Sequence, residues 1–100
     1  MSQIEFALSD EGGTLSGEFT RHTVPTLADN TIKKLLKNDR AVLNLKAVNG
    51  VDTAGLAWLL ALVEQAEKAH KKVELTHLPE DLLKLAKLSG VDHFLPITEC

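Results

Sequence analysis

Cysteine is nearly absent from this sequence. Cys100 is the only one among 100 residues, and it is the last residue. A lone thiol cannot close an internal disulfide, so neither a disulfide scaffold nor an oxidising compartment is expected. Long apolar runs are missing too. The most apolar stretch, Ala54–Val63, falls far short of the roughly 20 residues that a membrane helix requires. Met1-Ser2-Gln3-Ile4-Glu5 has no basic segment followed by an apolar run, so no secretory signal is expected. These absences point to a cytoplasmic protein. Any role at a membrane would then run through something else that spans it.

Concentrated charge is also lacking. The formal net charge is −3, and the eleven Lys and Arg are scattered, with Lys33-Lys34 and Lys71-Lys72 as the only adjacent pairs. That balance gives no drive toward nucleic acid or anionic lipid, and a solvated helix face accounts for the pairs. His22, His70, His77 and His93 show no metal-ligand spacing and no cysteine beside them. Glu80-Asp81 reads as a match to a helix dipole rather than a catalytic pair. Ser2, Ser9, Ser16 and Ser89 lack the context of a nucleophile, and no Gly-rich phosphate loop is present. No catalytic constellation assembles, so neither an enzyme nor a cofactor is expected.

What is there reads as one globular domain spanning residues 1–100. Apolar residues make up 44% and charged residues 25%, enough for a single core at this length. Ile4, Phe6 and Leu8 alternate, as do Leu15, Gly17 and Phe19, around the turn chemistry of Ser9-Asp10-Glu11-Gly12-Gly13. This predicts an antiparallel hairpin. Val24, Leu27, Ala28, Ile32, Leu35 and Leu36 recur at helical spacing. They predict a helix with Pro25 in its first turn, capped by Thr23 and ending near Asn38-Asp39. Ala41–Leu45 reads as a buried strand, and Asn49-Gly50 as a turn. A second helix is predicted from about Ala54 to His70, a strand over Val73–Thr76, and a third helix from Glu80 to Leu88 between Pro79 and Gly90. The tail from Val91 to Ile97 suits a short strand or a helical turn. Strand–helix alternation after the hairpin implies parallel strands with right-handed crossovers. The expected class is therefore α/β, a mixed sheet with helices packed against it.

The most informative stretch is Val51-Asp52-Thr53-Ala54-Gly55-Leu56-Ala57-Trp58-Leu59-Leu60. Leu56, Leu59, Leu60 and Val63 form one apolar face, expected to pack on the sheet. Ala54, Trp58, Ala61 and Leu62 form a second apolar stripe. Either neighbouring helices cover that stripe, or part of it, Trp58 included, meets a partner. Thr53 or Asp52 can cap the helix. A hydroxyl there could also carry a phosphate, although the adjacent Asp52 would repel one. Gly55 weakens the helix by about 1 kcal/mol relative to Ala. It permits close approach by another backbone or a ligand.

With those residues in view, the chain resembles the STAS family, named for sulfate transporters and anti-sigma factor antagonists. The resemblance rests on four segments: Leu15-Ser16-Gly17-Glu18, Val42-Leu43-Asn44-Leu45, the Asp52-Thr53-Ala54-Gly55-Leu56 turn, and Leu85-Ala86-Lys87-Leu88. It implies a STAS fold and a non-catalytic role. Within the family it is similar to the branch serving phospholipid ABC transporters. That branch implies a STAS subunit bound to a cytoplasmic ATPase (MlaF-like) and, through it, to the permease (MlaE-like), peripheral to the inner membrane. By the same resemblance, Asp52, Thr53, Ala54, Gly55, Ala57 and Trp58 would lie at the partner contact. The alternative is an anti-sigma factor antagonist phosphorylated at Thr53. Ala54 departs from that second pattern, because it stands where those proteins carry the phosphate-accepting hydroxyl.

Overall fold

The structure, a computed structural model, describes residues 3–27 and 30–98. Cys100 therefore lies outside the described residues, as does Ala28 of the predicted first helix. Strands β1 (Ile4–Ser9) and β2 (Gly12–Phe19) form the predicted hairpin, in register from Ile4 against Gly17 to Ser9 against Gly12. The turn is shorter than predicted. Gly12 and Gly13 already belong to β2. They are glycines because of crowding: a Cβ on Gly12 would lie 2.1 Å from the Val42 carbonyl oxygen, and one on Gly13 would lie 2.3 Å from the Phe6 ring.

The first helix is the main departure from the sequence reading. A 3₁₀ turn at Val24–Thr26 comes first, Leu27 is extended, and helix α1 covers only Thr31–Leu35. Thr23 does not cap a helix with its side chain. Its buried hydroxyl accepts from the Thr20 N–H at 2.9 Å and donates to the Glu18 carbonyl at 2.7 Å. Those bonds fold the segment onto the end of β2, in competition with a helical turn.

Strand β3 (Arg40–Val51) is twelve residues long and contains Asn49-Gly50, so no turn interrupts it there. The reason is tertiary. Residues 40–44 pair with β4 (Lys72–Thr76), while pairing with β2 runs on to Phe19 against Val51. Register shifts at Thr14/Ser16 and Gly17/Glu18 absorb the irregularity. Helix α2 (Thr53–Lys68), helix α3 (Glu80–Leu88), a 3₁₀ turn at Asp92–Phe94 and strand β5 (Ile97–Thr98) complete the chain. The tail thus holds both a helical turn and a strand.

Among the described residues the sheet has five strands in the order β1-β2-β3-β4-β5, antiparallel at the hairpin and parallel thereafter. Ala41, Leu43 and Leu45 of β3 and Val73 and Leu75 of β4 are buried, alternating with half-buried Val42, Asn44 and Glu74. That two-residue period aims one sheet face into the core. Leu35 of α1, Leu56, Leu59, Leu62 and Ala66 of α2, and Leu82 and Ala86 of α3 join the same core cluster. The expected α/β class and mixed sheet are both present. They leave the start of α2 at the end of the longest strand, with α3 beside it.

Candidate docking site at the start of helix α2

β3 ends at Val51, and Asp52 turns the chain into α2. Asp52 is the cap. One carboxylate oxygen, Oδ1, accepts from the Ala54 N–H at 2.9 Å, and the other, Oδ2, accepts from the Arg21 N–H at 2.9 Å. Its own N–H donates to the Phe19 carbonyl at 3.3 Å. One side chain thus ties the loop after β2 to the helix start. The Arg21 N–H holds the Asp52 carboxyl below its ordinary pKa, and the Ala54 and Gly55 N–H groups and the Arg21 charge add to this against an opposing effect of burial. The group is therefore a carboxylate at neutral pH.

With Asp52 capping, Thr53 is released from that role and lies exposed as the first residue of α2. Ala57 and Ala61 are exposed at successive steps of four, and Ala54 and Trp58 flank them half-buried. The outer strip is therefore open. Its composition differs from the sequence reading in one respect: Leu62 belongs to the core, fully buried, while Leu60 and Val63 are half-buried flanks. The inward line runs Gly55/Leu56, Leu59, Leu62, Ala66, because those positions face the sheet and α3. Trp58 has two environments. Its ring meets the Phe19 ring edge-on, centroids 5.6 Å apart at 76°, and part of it stays at the surface.

At Gly55 the first of the two expected approaches, that of another backbone, is the one present. Gly55 is buried, and a Cβ there would lie 2.5 Å from the Phe19 carbonyl oxygen and 2.8 Å from its ring. The close approach it permits is to Phe19 of this chain, not to an outside molecule. Its place in the site is to seat α2 on β2.

Sequence reasoning missed the neighbouring wall. An open groove of about 430 Å³ lies between the start of α2 and α3, lined by Val51, Asp52 and Thr53 on one side and Asp81, Lys84, Leu85 and Leu88 on the other. Leu88 is 87% exposed. A signal was available: Leu88 is a large apolar residue in the last turn of a nine-residue helix, off the Leu82–Ala86 line that is buried. Among the described residues, no His, Cys, Asp and Glu cluster is placed to hold a metal, and no helix is long and apolar enough to cross a membrane.

A family model described as "Mlab, STAS domain" matches residues 6–97. Among solved structures, the unphosphorylated anti-sigma factor antagonist SpoIIAA is similar, with a TM-score of 0.72 at 13% identity, over 97% of this chain and 87% of that one. An anti-sigma-factor antagonist (STAS) domain protein from Planctomyces limnophilus is similar with a TM-score of 0.74 at 9% identity, over 99% and 92% of the two chains. At such identities these two likenesses speak for the fold alone. No curated protein matches the sequence significantly. The match over nearly the whole chain, together with the hairpin, the long third strand and the capped α2, makes this protein a member of the MlaB-type STAS domain family.

Proposed function

We propose that this protein is a non-catalytic subunit that docks, through the start of α2, onto the cytoplasmic ATPase of a phospholipid ABC transporter. In this reading it resembles MlaB. The ATPase is MlaF-like, the permease reached through it is MlaE-like, and the complex maintains the lipid asymmetry of the outer membrane from the inner-membrane side. The observation that carries the reading is the open strip Thr53, Ala57 and Ala61 beside half-buried Trp58. Small side chains let a partner helix approach closely, and a tryptophan at the rim can give up much area to that partner. Asp52 and Gly55 act from beneath, as cap and seat.

The test is co-purification with the ATPase. Thr53→Glu places a charge on an exposed residue and should leave the fold intact. It should weaken the complex by more than tenfold, since an unpaired charge at the centre of an interface costs several kcal/mol. A complex of unchanged affinity would place the interface elsewhere.

A second reading, a phosphoregulated anti-sigma factor antagonist, draws on the fold likeness to SpoIIAA and on the exposed Thr53 hydroxyl. Two features weigh against it. Ala54 has no hydroxyl, and the Asp52 carboxylate beside Thr53 repels a phosphate. Incubation with a cognate serine kinase decides it: the transporter reading expects no gain of a phosphoryl mass on Thr53.

A further inference from the structure

The groove between α2 and α3 narrows the chemistry of whatever docks there. Its lining divides by character. Val51, Leu85 and Leu88 give an apolar lining, with Leu88 87% exposed, and Asp81 adds a carboxylate on the α3 wall, whereas the Asp52 carboxylate at the other wall is taken up by the Ala54 and Arg21 N–H groups with the Arg21 charge acting on it. The basic side chain present, Lys84, lies 3.5 Å from Glu80, so that pair cancels. Among the described residues, Asp81 has no ion-pair partner. The N-terminus of α3 opposes the Asp81 carboxylate with roughly half a positive charge, which leaves Asp81 net negative beside the apolar lining.

We infer that the groove takes a basic amphipathic segment of the partner, an apolar side chain seated between Leu85 and Leu88 with a Lys or Arg reaching Asp81. An acidic or uncharged segment would leave the Asp81 carboxylate shielded from water with no counter-ion, which selects against it. This inference rests on the docking role proposed above. It adds a second wall, α3, to the contact and assigns Asp81 as the residue that reads the partner's charge.

The experiment titrates the transporter ATPase onto the wild-type chain and single variants at low and high salt. Light scattering on the free chain reports self-association. Asp81→Asn and Leu88→Ala should each weaken binding about tenfold, the loss typical of one well-buried interface contact. Asp81→Lys should weaken it further, and Asp81→Asn should flatten the salt dependence. Leu8→Ala, an exposed position on β1, should bind as wild type. If Thr53→Glu abolishes binding while Asp81→Lys and Leu88→Ala bind normally, the groove is no part of the contact and the docking role survives without it. Tighter binding by Asp81→Lys would mean an acidic occupant and overturn the inference. So would a wild-type dimer that Leu88→Ala dissociates, since a second copy would then fill the groove. If the wild-type chain binds no ATPase, or no variant including Thr53→Glu changes its affinity, both the inference and the docking role fall.

Discussion

Two residues set the geometry of the α2 start, and neither needs to touch a partner to do so. Gly55 gives up helix propensity so that α2 can lie against Phe19. Gly55→Ala puts a methyl group 2.5 Å from a backbone carbonyl. Backbone does not yield as a flexible side chain would, so a loss of about 1–3 kcal/mol is expected, as for other overpacked cores. Chemical denaturation should show an earlier midpoint at an unchanged slope. Asp52 can be probed more finely. Asparagine offers one acceptor oxygen where Asp52 uses two, for Ala54 and Arg21. Asp52→Asn should therefore keep the cap, lose the tie to the loop, and cost about 1 kcal/mol at neutral pH.

The pH dependence of that cost has a definite sign. The folded carboxyl titrates below its ordinary value, chiefly because the Arg21 N–H donates to it. Stability from the ionised form is fully present above the unfolded pKa of about 3.9. It is lost as pH falls through the lower folded pKa. The difference between wild type and Asp52→Asn should thus be constant from neutral pH down to mildly acidic pH and shrink only below that. Denaturation midpoints across the acid range check this, and a difference that grew on acidification would contradict it.

At the scale of elements, α2 was the most legible part of the sequence and α1 the least. The expected helix from about Ala54 to His70 overlies the observed Thr53–Lys68, with Asp52 one of its two candidate caps, while the excess of apolar positions left open whether neighbouring helices or a partner would cover the outer stripe. The error over Leu62, Leu60 and Val63 was one of rotation. When a helix start is apolar nearly all round, its periodicity does not say which face turns inward. The first helix failed for another reason. The apolar spacing of Val24 to Leu36 suits a helix, yet the Thr23 hydroxyl binds Glu18 and Thr20 and holds the chain in the loop. Those bonds are local, three and five residues along the chain, but a threonine before Val24-Pro25 reads equally well as a helix cap, and apolar spacing does not say which partner its hydroxyl takes. Asn49-Gly50 was misread for a different reason, since long-range pairing with β2 overrides its turn preference. The groove itself was not legible because it needs two helices side by side, although the apolar Leu88 marked its α3 wall.

The open strip makes an element-scale prediction. Ala57→Arg adds a long charged side chain to an exposed helix position. Arginine is a good helix former, so the stability of the isolated chain should change by less than about 0.5 kcal/mol. Under the proposed docking role, binding to the ATPase should nonetheless weaken by more than tenfold, because a small side chain at the proposed contact is replaced by a long charged one. Thermal melts and titrations on the same samples separate these effects. Loss of stability in step with loss of binding would mean that the strip is part of the fold rather than a surface kept for a partner.

For the molecule as a whole, the fold assigns different tasks to different parts. The sheet and the inward sides of the three helices form one core that includes Leu15, Phe19, Leu43, Leu59, Leu75 and Leu82. The long third strand delivers the chain to Asp52, the cap fixes the turn, and Gly55 seats the helix. What is left facing outward is a threonine, a line of alanines, the edge of a tryptophan and an acid-rimmed groove. That distribution suits a module whose contribution is a shaped surface, with chemistry supplied by the protein it binds.

Amide hydrogen exchange on the chain alone and in complex with the transporter ATPase tests that claim most directly. Slowed exchange is expected in peptides covering residues 52–61 and 81–88, with β1 unchanged. Complex formation that leaves both segments exchanging at their free rates, and protects another surface instead, would contradict it.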